Sequence, residues 1–248
     1  MNFLKATLLI SLCTISLARA ANPPSASAIS AMFDELFRSS SSTGKMELIS
    51  KTETQSRHLK MRIWTKNKNK ALIIIDEPAK EAGITTLKVD QNLWNYLPKI
   101  ARTIRVPPSM MLSPWMGTDF TNDDLVKDSS YEHDFNISFE SRSTQPQGWS
   151  YLLKVKPDIV GRWEKIEIIV DDEGKLPLLA RYFDRKGRLA RTMTFEEPKK
   201  FGDRTIPTRL ILNSVDQPGH KTEIHYLEMK FDSPISDSRF SLSELERK

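Results

Sequence analysis

The residue types that most often carry catalysis or bind metals are few in this sequence and scattered along it. The chain has no H-E-x-x-H zinc motif, no G-x-S-x-G nucleophile elbow and no glycine-rich phosphate-binding loop. The acidic run 119–124 resembles a calcium loop, but Asp124 stands where that loop requires glycine and Ser130 where it requires glutamate. The chain has four histidines, and no two of them have metal-ligand spacing on one helix: these are His58, His133, His220 and His225. We therefore predict no catalytic residue, no cofactor and no metal site.

Length and composition indicate a globular protein with one large domain or two small ones. The sequence has 248 residues, of which 39% are hydrophobic and 28% are charged. Cys13 is the only cysteine, which excludes a disulfide framework. The net charge of +5 is mild and spread along the chain, so we expect no nucleic-acid partner. Two predicted hairpins carry basic clusters, which usually form a solvated face but can also bind anionic lipid headgroups: Lys60, Arg62, Lys66, Lys68 and Lys70 in one, and Arg181, Arg185, Lys186, Arg188 and Arg191 in the other.

The first twenty residues have the pattern of a secretory signal peptide. Lys5 precedes a short apolar run from Ala6 to Leu17, and Ala18-Arg19-Ala20 fits the small-x-small cleavage pattern. The apolar run is much shorter than the ~20 residues that a membrane-spanning helix needs. We predict a signal peptide over 1–20 and a single mature domain over 21–248.

Hydrophobic periodicity predicts one helix followed by many strands. In Ser25–Phe37, a single apolar stripe with helical spacing is formed by Ile29, Met32, Phe33, Leu36 and Phe37. From Lys45 onward apolar and polar residues alternate, as in half-buried antiparallel strands. A last short helix is predicted at Ser236–Arg247. The predicted strands lie near 45–52, 57–66, 70–76, 84–90, 92–97, 100–106, 131–140, 149–156, 163–170, 177–184, 188–195, 205–215 and 221–231.

The short links between these strands predict a meander of about a dozen strands. A sheet of this width curls or closes, and its own side chains do not always fill the interior. The predicted helix could then cover the open end of an apolar pocket. A fully packed sandwich or barrel without a cavity agrees equally well with the periodicity.

Residues 107–128 interrupt the alternation. The segment combines three prolines with a dense set of apolar side chains: Met110, Met111, Leu112, Trp115, Met116 and Phe120. Apolar residues at this density in a loop are either buried beneath it or available to bind an apolar partner. Thr121, followed by Asp123 and Asp124, predicts the start of a short helix.

The same region carries a family resemblance. The stretch TLKVDQNLWNYLPKIARTIRVPPSMMLSPWMGTDFTNDDL, from Thr86 to Leu125, resembles the LolA-like family of outer-membrane lipoprotein-sorting proteins. The flanks at 76–89 and 176–212 agree with it, so the resemblance covers essentially the whole mature chain. It implies a mainly β (α+β) fold, namely a curved, incompletely closed antiparallel β-barrel of about 10–12 strands covered by helices.

The resemblance also implies a function: a periplasmic carrier that holds acyl chains of lipoproteins or lipids in an apolar cavity and moves them toward the outer membrane. An inner-membrane transporter as donor and an outer-membrane acceptor are implied with it, and we expect a monomer. The alternative is a periplasmic enzyme or glycan-binding β-barrel protein without lipid cargo. The candidate cavity and loop residues, each of which could equally be ordinary core, are Ile29, Met32, Phe33, Leu36, Leu59, Met61, Ile63, Met110, Met111, Trp115, Met116, Phe120, Phe135, Ile137 and Phe139.

Overall fold

A single antiparallel sheet dominates the computed structural model, which describes residues 22–37, 39–126, 131–159 and 161–246. The predicted signal peptide lies outside the described residues. The described strands are β1 (Ser41–Lys51), β2 (Ser56–Lys66), β3 (Lys70–Glu77), β4 (Thr85–Val89), β5 (Asn92–Leu97), β6 (Arg102–Arg105), β7 (Phe135–Thr144), β8 (Gln147–Val155), β9 (Trp163–Val170), β10 (Pro177–Asp184), β11 (Leu189–Phe201), β12 (Arg204–Ser214) and β13 (Lys221–Phe231). The described α-helices are α1 (Ala26–Phe37), α2 (Asn122–Val126), α3 (Tyr131–Asp134) and α4 (Leu242–Leu245).

The sheet consists of a first meander, β1–β6, and a second meander, β7–β13, which are joined by the pairing of β1 with β13. Its strand order is β6-β5-β4-β3-β2-β1-β13-β12-β11-β10-β9-β8-β7. Strand β1 pairs antiparallel with β13, while β6 and β7 are the two edge strands. The predicted fold class, a mainly β protein with a curved and incompletely closed antiparallel sheet, is confirmed. The described part of the sheet has thirteen strands, slightly more than the expected 10–12.

Two core clusters cover the inner face of the sheet, the face on which α1 packs. One joins α1 to β7–β12 and includes Ile29, Tyr151 and Leu212. The other lies over β1–β3 and includes Leu48, Leu59 and Met61. Ile224 and Tyr226 of β13 pack against both clusters, so the central strands connect them.

A third cluster lies on the opposite face. Leu72 and Leu87 pack there against Phe240 and Leu245 from the C-terminal segment. Leu72 and Ile73 are successive strand residues and belong to different clusters, as the alternation of side chains across a sheet requires. The C-terminal segment therefore covers the outer face of β3–β5.

Helix α1 confirms the predicted apolar stripe. The Ser25 hydroxyl accepts a hydrogen bond from the Ala28 amide at 3.2 Å and caps the helix start. Ile29, Met32, Phe33 and Leu36 are all buried against the sheet. None of the helices among the described residues has the length and apolarity needed to cross a bilayer.

Two predicted elements need correction. The strand expected over 131–140 begins only at Phe135, because Tyr131–Asp134 forms the helical turn α3. In that turn the Tyr131 ring stacks on Phe33 with ring centres 4.4 Å apart, so packing on α1 overrides the alternating pattern.

The C-terminal helix expected over Ser236–Arg247 is divided into two short pieces. A 3-10 turn covers Asp237–Phe240, and α4 follows it. Ser241 lies between them in an extended conformation, and its hydroxyl accepts a hydrogen bond from the Glu244 amide. Its role as the cap of α4 therefore ends the first turn.

The inner face should account for much of the stability. Leu59 is fully buried, so Leu59→Ala should lower the free energy of unfolding by about 2–5 kcal/mol, through lost burial and a residual cavity. The control is Leu227→Ala in β13, where the leucine is 49% exposed and the loss should be below about 0.5 kcal/mol. Urea unfolding of both variants measures the difference, and equal losses would contradict this assignment of the core.

Candidate functional site

The connection between the two edge strands, β6 and β7, must cross the sheet. Strand β6 is followed along the chain by the segment 107–126, and the next strand, β7, lies at the opposite edge. We call residues 107–126 the crossing segment. It contains two 3-10 turns, Pro108–Met110 and Trp115–Gly117, and the helix α2. It passes over the inner face and forms a wall opposite the sheet.

Trp115 anchors the first half of the crossing segment. Its ring is buried in the cluster over β1–β3, and its indole N–H donates to the Thr86 hydroxyl at 3.2 Å. The guanidinium of Arg57 on β2 donates to the Met116 carbonyl and forms an ion pair with Glu81. Both anchors fix the crossing segment to the first meander.

Asp119 fastens the middle of the segment to the second meander. Its buried carboxylate accepts hydrogen bonds from the Ser214 hydroxyl at 2.8 Å and the Thr222 hydroxyl at 2.7 Å. The Thr222 hydroxyl in turn accepts from the Asp119 amide at 3.1 Å. The Nδ1 atom of His220 lies 3.7 Å from the same carboxylate. These contacts span β12 and β13.

A buried ion pair holds α2 against β11. Arg191 donates two parallel hydrogen bonds to Asp124, at 2.9 and 2.8 Å, and its side chain is only 6% exposed. The guanidinium also lies 4.5 Å from the ring centre of Trp163 and 4.4 Å from that of Tyr182. The interpretation of Arg191 as part of a solvated basic face is therefore wrong for this residue.

Local capping positions the carboxylate of that pair. The Thr121 hydroxyl accepts from the Asp124 amide at 3.1 Å, and Asp124 accepts from the Thr121 amide and hydroxyl at 2.8 and 2.9 Å. This reciprocal arrangement confirms the helix start predicted at Thr121. Burial raises the pKa of Asp124, but Arg191 and the Thr121 hydrogen bonds outweigh burial and hold that pKa below its ordinary value.

A cavity of about 400 Å³ lies between the crossing segment, α1, α3 and the sheet. Most of its lining is aliphatic or aromatic, and its charged residues are Asp123, Asp124 and Arg191. Burial raises the pKa of the lining phenol Tyr226 to about 12, which keeps it neutral. The volume of the cavity is within the range of small-molecule pockets. The lining residues are Phe33, Met46, Leu48, Met61, Ile63, Ile73, Trp115, Phe120, Asp123, Asp124, Leu125, Tyr131, Phe135, Trp163, Ile166, Tyr182, Arg191, Met193, Phe195, Leu210, Ile224 and Tyr226.

The residues singled out from the sequence divide into three groups. Those that line the cavity are Phe33, Met61, Ile63, Trp115, Phe120 and Phe135. Those that pack in or against the core but do not line the cavity are Ile29, Met32, Leu36, Leu59, Met116 and Ile137. Met111 is half-buried, while Met110 and Phe139 are 51% and 44% exposed and do not line the cavity.

The sequence reasoning missed several lining residues that a pattern could have found. On β11, Arg191, Met193 and Phe195 alternate and share the inner face. On β13, Ile224 and Tyr226 do the same. The period-two pattern therefore contained this information, whereas the partner of Arg191 could not be read from it.

Comparisons with known proteins agree on the fold. A family model described as "Uncharacterized protein"-like matches residues 67–247. No curated protein matched the chain by sequence. A domain from Vibrio parahaemolyticus described as an outer membrane lipoprotein-sorting protein superposes with a TM-score of 0.77 at 21% identity, covering 90% of this chain and 98% of that one.

Two further solved structures have the same fold. A DUF1329 family protein from Desulfovibrio piger gives a TM-score of 0.79 at 19% identity, covering 90% of this chain and 100% of that one. A LolA superfamily protein from Nitrosomonas europaea gives 0.72 at 19% identity, covering 88% and 97%. The predicted resemblance to the LolA-like family is thus confirmed at the level of the fold.

The ion pair between α2 and β11 should affect stability in a pH-dependent way. Asp124→Asn leaves Arg191 buried without a carboxylate and should lower the free energy of unfolding by about 3 kcal/mol at neutral pH. Because the pKa of Asp124 is depressed in the folded protein, this contribution is complete above the ordinary aspartate pKa and is lost as the pH falls through the folded value, below about pH 4. Urea unfolding as a function of pH measures both effects.

An exposed bidentate pair provides the control. Asp76 accepts hydrogen bonds from Arg62 at 2.7–3.0 Å at the surface. Asp76→Asn should cost less than about 1 kcal/mol, because solvent screens the pair. Equal losses in the two variants would show that the Arg191–Asp124 pair does not fasten the crossing segment.

Proposed function

We propose that this chain is a non-enzymatic carrier that holds acyl chains in its apolar cavity. The chain belongs to the family described as "Uncharacterized protein"-like and has the fold of LolA-superfamily structures. The observation that carries the proposal is the cavity of about 400 Å³ between the sheet and the crossing segment. Its lining is mainly aliphatic and aromatic, which suits an acyl chain better than a polar substrate.

The energetic need for such a cavity follows from the hydrophobic effect. Each buried methylene contributes about 0.8 kcal/mol, so a long acyl chain moving bare through water costs ~10 kcal/mol or more. A carrier must offset this cost and still release the chain. A lining of Met46, Met61 and Met193 among aromatic rings supports this proposal, because methionine adapts its shape to different apolar partners.

Opening of the cavity would involve the crossing segment. It is held to the sheet by separate side-chain contacts through Trp115, Asp119 and Asp124. The one strand-like bridge within it, between Pro114 and Thr121, is internal to the segment. The crossing segment can therefore move away from the sheet without breaking the ladder between any two strands.

The finer parts of the proposal concern location and partners. The pattern of residues 1–20 supports export, and we propose a periplasmic monomer that carries lipidated protein or lipid toward the outer membrane. An inner-membrane transporter as donor and an outer-membrane acceptor belong to this proposal. The description of the relative from Vibrio parahaemolyticus as an outer membrane lipoprotein-sorting protein supports lipidated protein as the cargo.

The alternative of an enzyme or glycan-binding protein finds less support in the cavity. The Asp124 carboxylate is occupied by Arg191 and Thr121 and is therefore poorly placed to act on a substrate. Within the described ranges, no group of three His, Cys, Asp or Glu side chains has metal-binding geometry.

The proposal is tested by filling the cavity. Ile224 lines the cavity on the central strand β13, so Ile224→Trp should place an indole in the space of the acyl chain. We expect the variant to bind an uncharged fluorescent polyene ester about tenfold more weakly than the unmodified protein, a loss of ~1.4 kcal/mol. Mass spectrometry of organic extracts from protein purified without detergent should show an acylated species that the variant lacks.

The matched control lies on the same strand. Leu227 is 49% exposed, so Leu227→Trp adds the same indole outside the cavity and should leave probe binding unchanged. Thermal melting of both variants shows whether each is folded. A folded, lipid-free protein that binds no ester probe would overturn the carrier proposal.

A further inference from the structure

The exposed apolar side chains of this protein are concentrated at one edge of the sheet. Among the described residues eight large hydrophobic side chains are exposed, and four of them lie within residues 100–112. Ile100 lies in the turn between β5 and β6, Ile104 lies on the edge strand β6, and Met110 and Leu112 lie in the crossing segment. They are between 46% and 60% exposed. Exposed apolar side chains grouped in this way mark a surface that binds a partner.

Met110 and Leu112 lie close to β6 although they belong to the crossing segment. That segment leaves β6 next to Leu93, whose carbonyl accepts from the Val106 amide at 2.8 Å. The Met110 carbonyl then accepts from the side-chain amide of Asn122 at 3.0 Å. Helix α2, which begins at Asn122, contacts β5, the neighbour of β6. The exposed apolar side chains of the crossing segment and of the edge strand therefore belong to one surface.

The same edge is basic. Residues 91–118 contain no aspartate and no glutamate. Lys99 and Arg102 are both exposed, and within the part of the chain that the structure describes no carboxylate forms an ion pair with either of them. We call the following six residues the edge patch: Lys99, Ile100, Arg102, Ile104, Met110 and Leu112.

The carboxylates near the edge patch are engaged elsewhere. Glu246 accepts from the Thr103 hydroxyl at 2.7 Å, and Thr103 lies on the opposite face of β6 from Arg102 because side chains alternate along a strand. In the crossing segment, Asp123 lines the apolar cavity and Asp124 forms the ion pair with β11. These carboxylates therefore leave the positive charge of the edge patch to an external partner.

The composition of the edge patch favours a lipid surface over another protein strand. Strand β6 has only four residues, so it offers little backbone for a further strand to pair with. Basic side chains on a short edge strand also discourage such pairing, and a second copy of this chain would bring the same positive charges to the contact. Protection of the edge accounts for the cations but not for the apolar side chains beside them. A membrane surface accommodates both, because apolar groups insert among the lipids while cations meet anionic head groups.

We propose that the edge patch docks the protein onto a membrane surface that contains anionic lipids. Ile100, Ile104, Met110 and Leu112 enter the boundary between head groups and acyl chains, and the two cations meet lipid phosphates. Because the crossing segment is also a wall of the apolar cavity, docking brings that wall to the membrane. The inference concerns a surface outside the cavity, and it holds whether or not the cavity carries an acyl chain.

The test measures binding of the full mature chain to vesicles by co-sedimentation. One set of vesicles contains about 30% phosphatidylglycerol in phosphatidylcholine, and the other contains phosphatidylcholine alone. We expect about tenfold tighter binding to the anionic vesicles at low salt. This preference should largely disappear at about 0.5 M salt, because salt screens exposed charges. Equal binding to both kinds of vesicle at low salt would overturn the proposal.

A charge variant with a matched control locates the site. The double variant Lys99→Gln, Arg102→Gln should lose about tenfold in affinity for the anionic vesicles. The control, Lys154→Gln with Lys200→Gln, removes the same charge from exposed positions on β8 and β11 in the second meander, and it should bind as the unmodified chain does. Equal losses in the two double variants would show a general effect of net charge and overturn the edge patch as the site.

A second pair of variants tests the apolar part. Leu112→Ser should lose about fivefold in affinity for the anionic vesicles, whereas Leu227→Ser on β13 should lose nothing. Both leucines are exposed, at 60% and 49%, so both variants should fold, and thermal melting checks this. Unchanged binding of Leu112→Ser would overturn the insertion of the crossing segment into the membrane.

Two further outcomes would identify a different occupant. Failure to bind either kind of vesicle would overturn the proposal and favour an acidic protein as the partner. A chain that elutes as a dimer in size-exclusion chromatography, and as a monomer when it carries Leu112→Ser, would identify a second copy and likewise overturn it.

Binding of the polyene ester separates this inference from the carrier function. The double variant Lys99→Gln, Arg102→Gln changes no residue that lines the cavity, so its affinity for the ester should be unchanged. A chain that binds anionic vesicles but no ester would overturn the carrier function alone. A chain that binds the ester but no vesicles would overturn the docking surface alone.

Discussion

The pairing of the first strand with the last determines the rest of this structure. Strands β1 and β13 join ten pairs of residues and bring two meanders into one sheet. Gly44 permits the close approach, since a Cβ there would come 2.7 Å from the Glu228 carbonyl oxygen. Because this pairing places the first and last strands of the chain side by side within the sheet, β6 and β7 become its two edge strands. The chain between them must then cross the sheet, and it does so over the inner face, where the cavity lies beneath the crossing segment.

The crossing is fastened by polar contacts in mainly apolar surroundings. Packing alone would hold it without fixing its position, whereas the Arg191–Asp124 pair and the Asp119 hydrogen bonds require defined geometry. A buried ion pair is costly to desolvate, so its net contribution to stability is smaller than its short distances suggest. It holds α2 beside β11, and both elements contribute side chains to the cavity lining.

The sequence predicted the framework better than the site. Local periodicity depends on which face of an element is buried, so α1 and the alternating strands were predictable. Met110 was not, because an irregular segment has no period and its burial depends on where the chain crosses. The same reason explains why the partner of Arg191 could not be predicted. Its alternation with Met193 places it on the inner face, but its partner Asp124 is 67 residues away and is brought near only by the crossing.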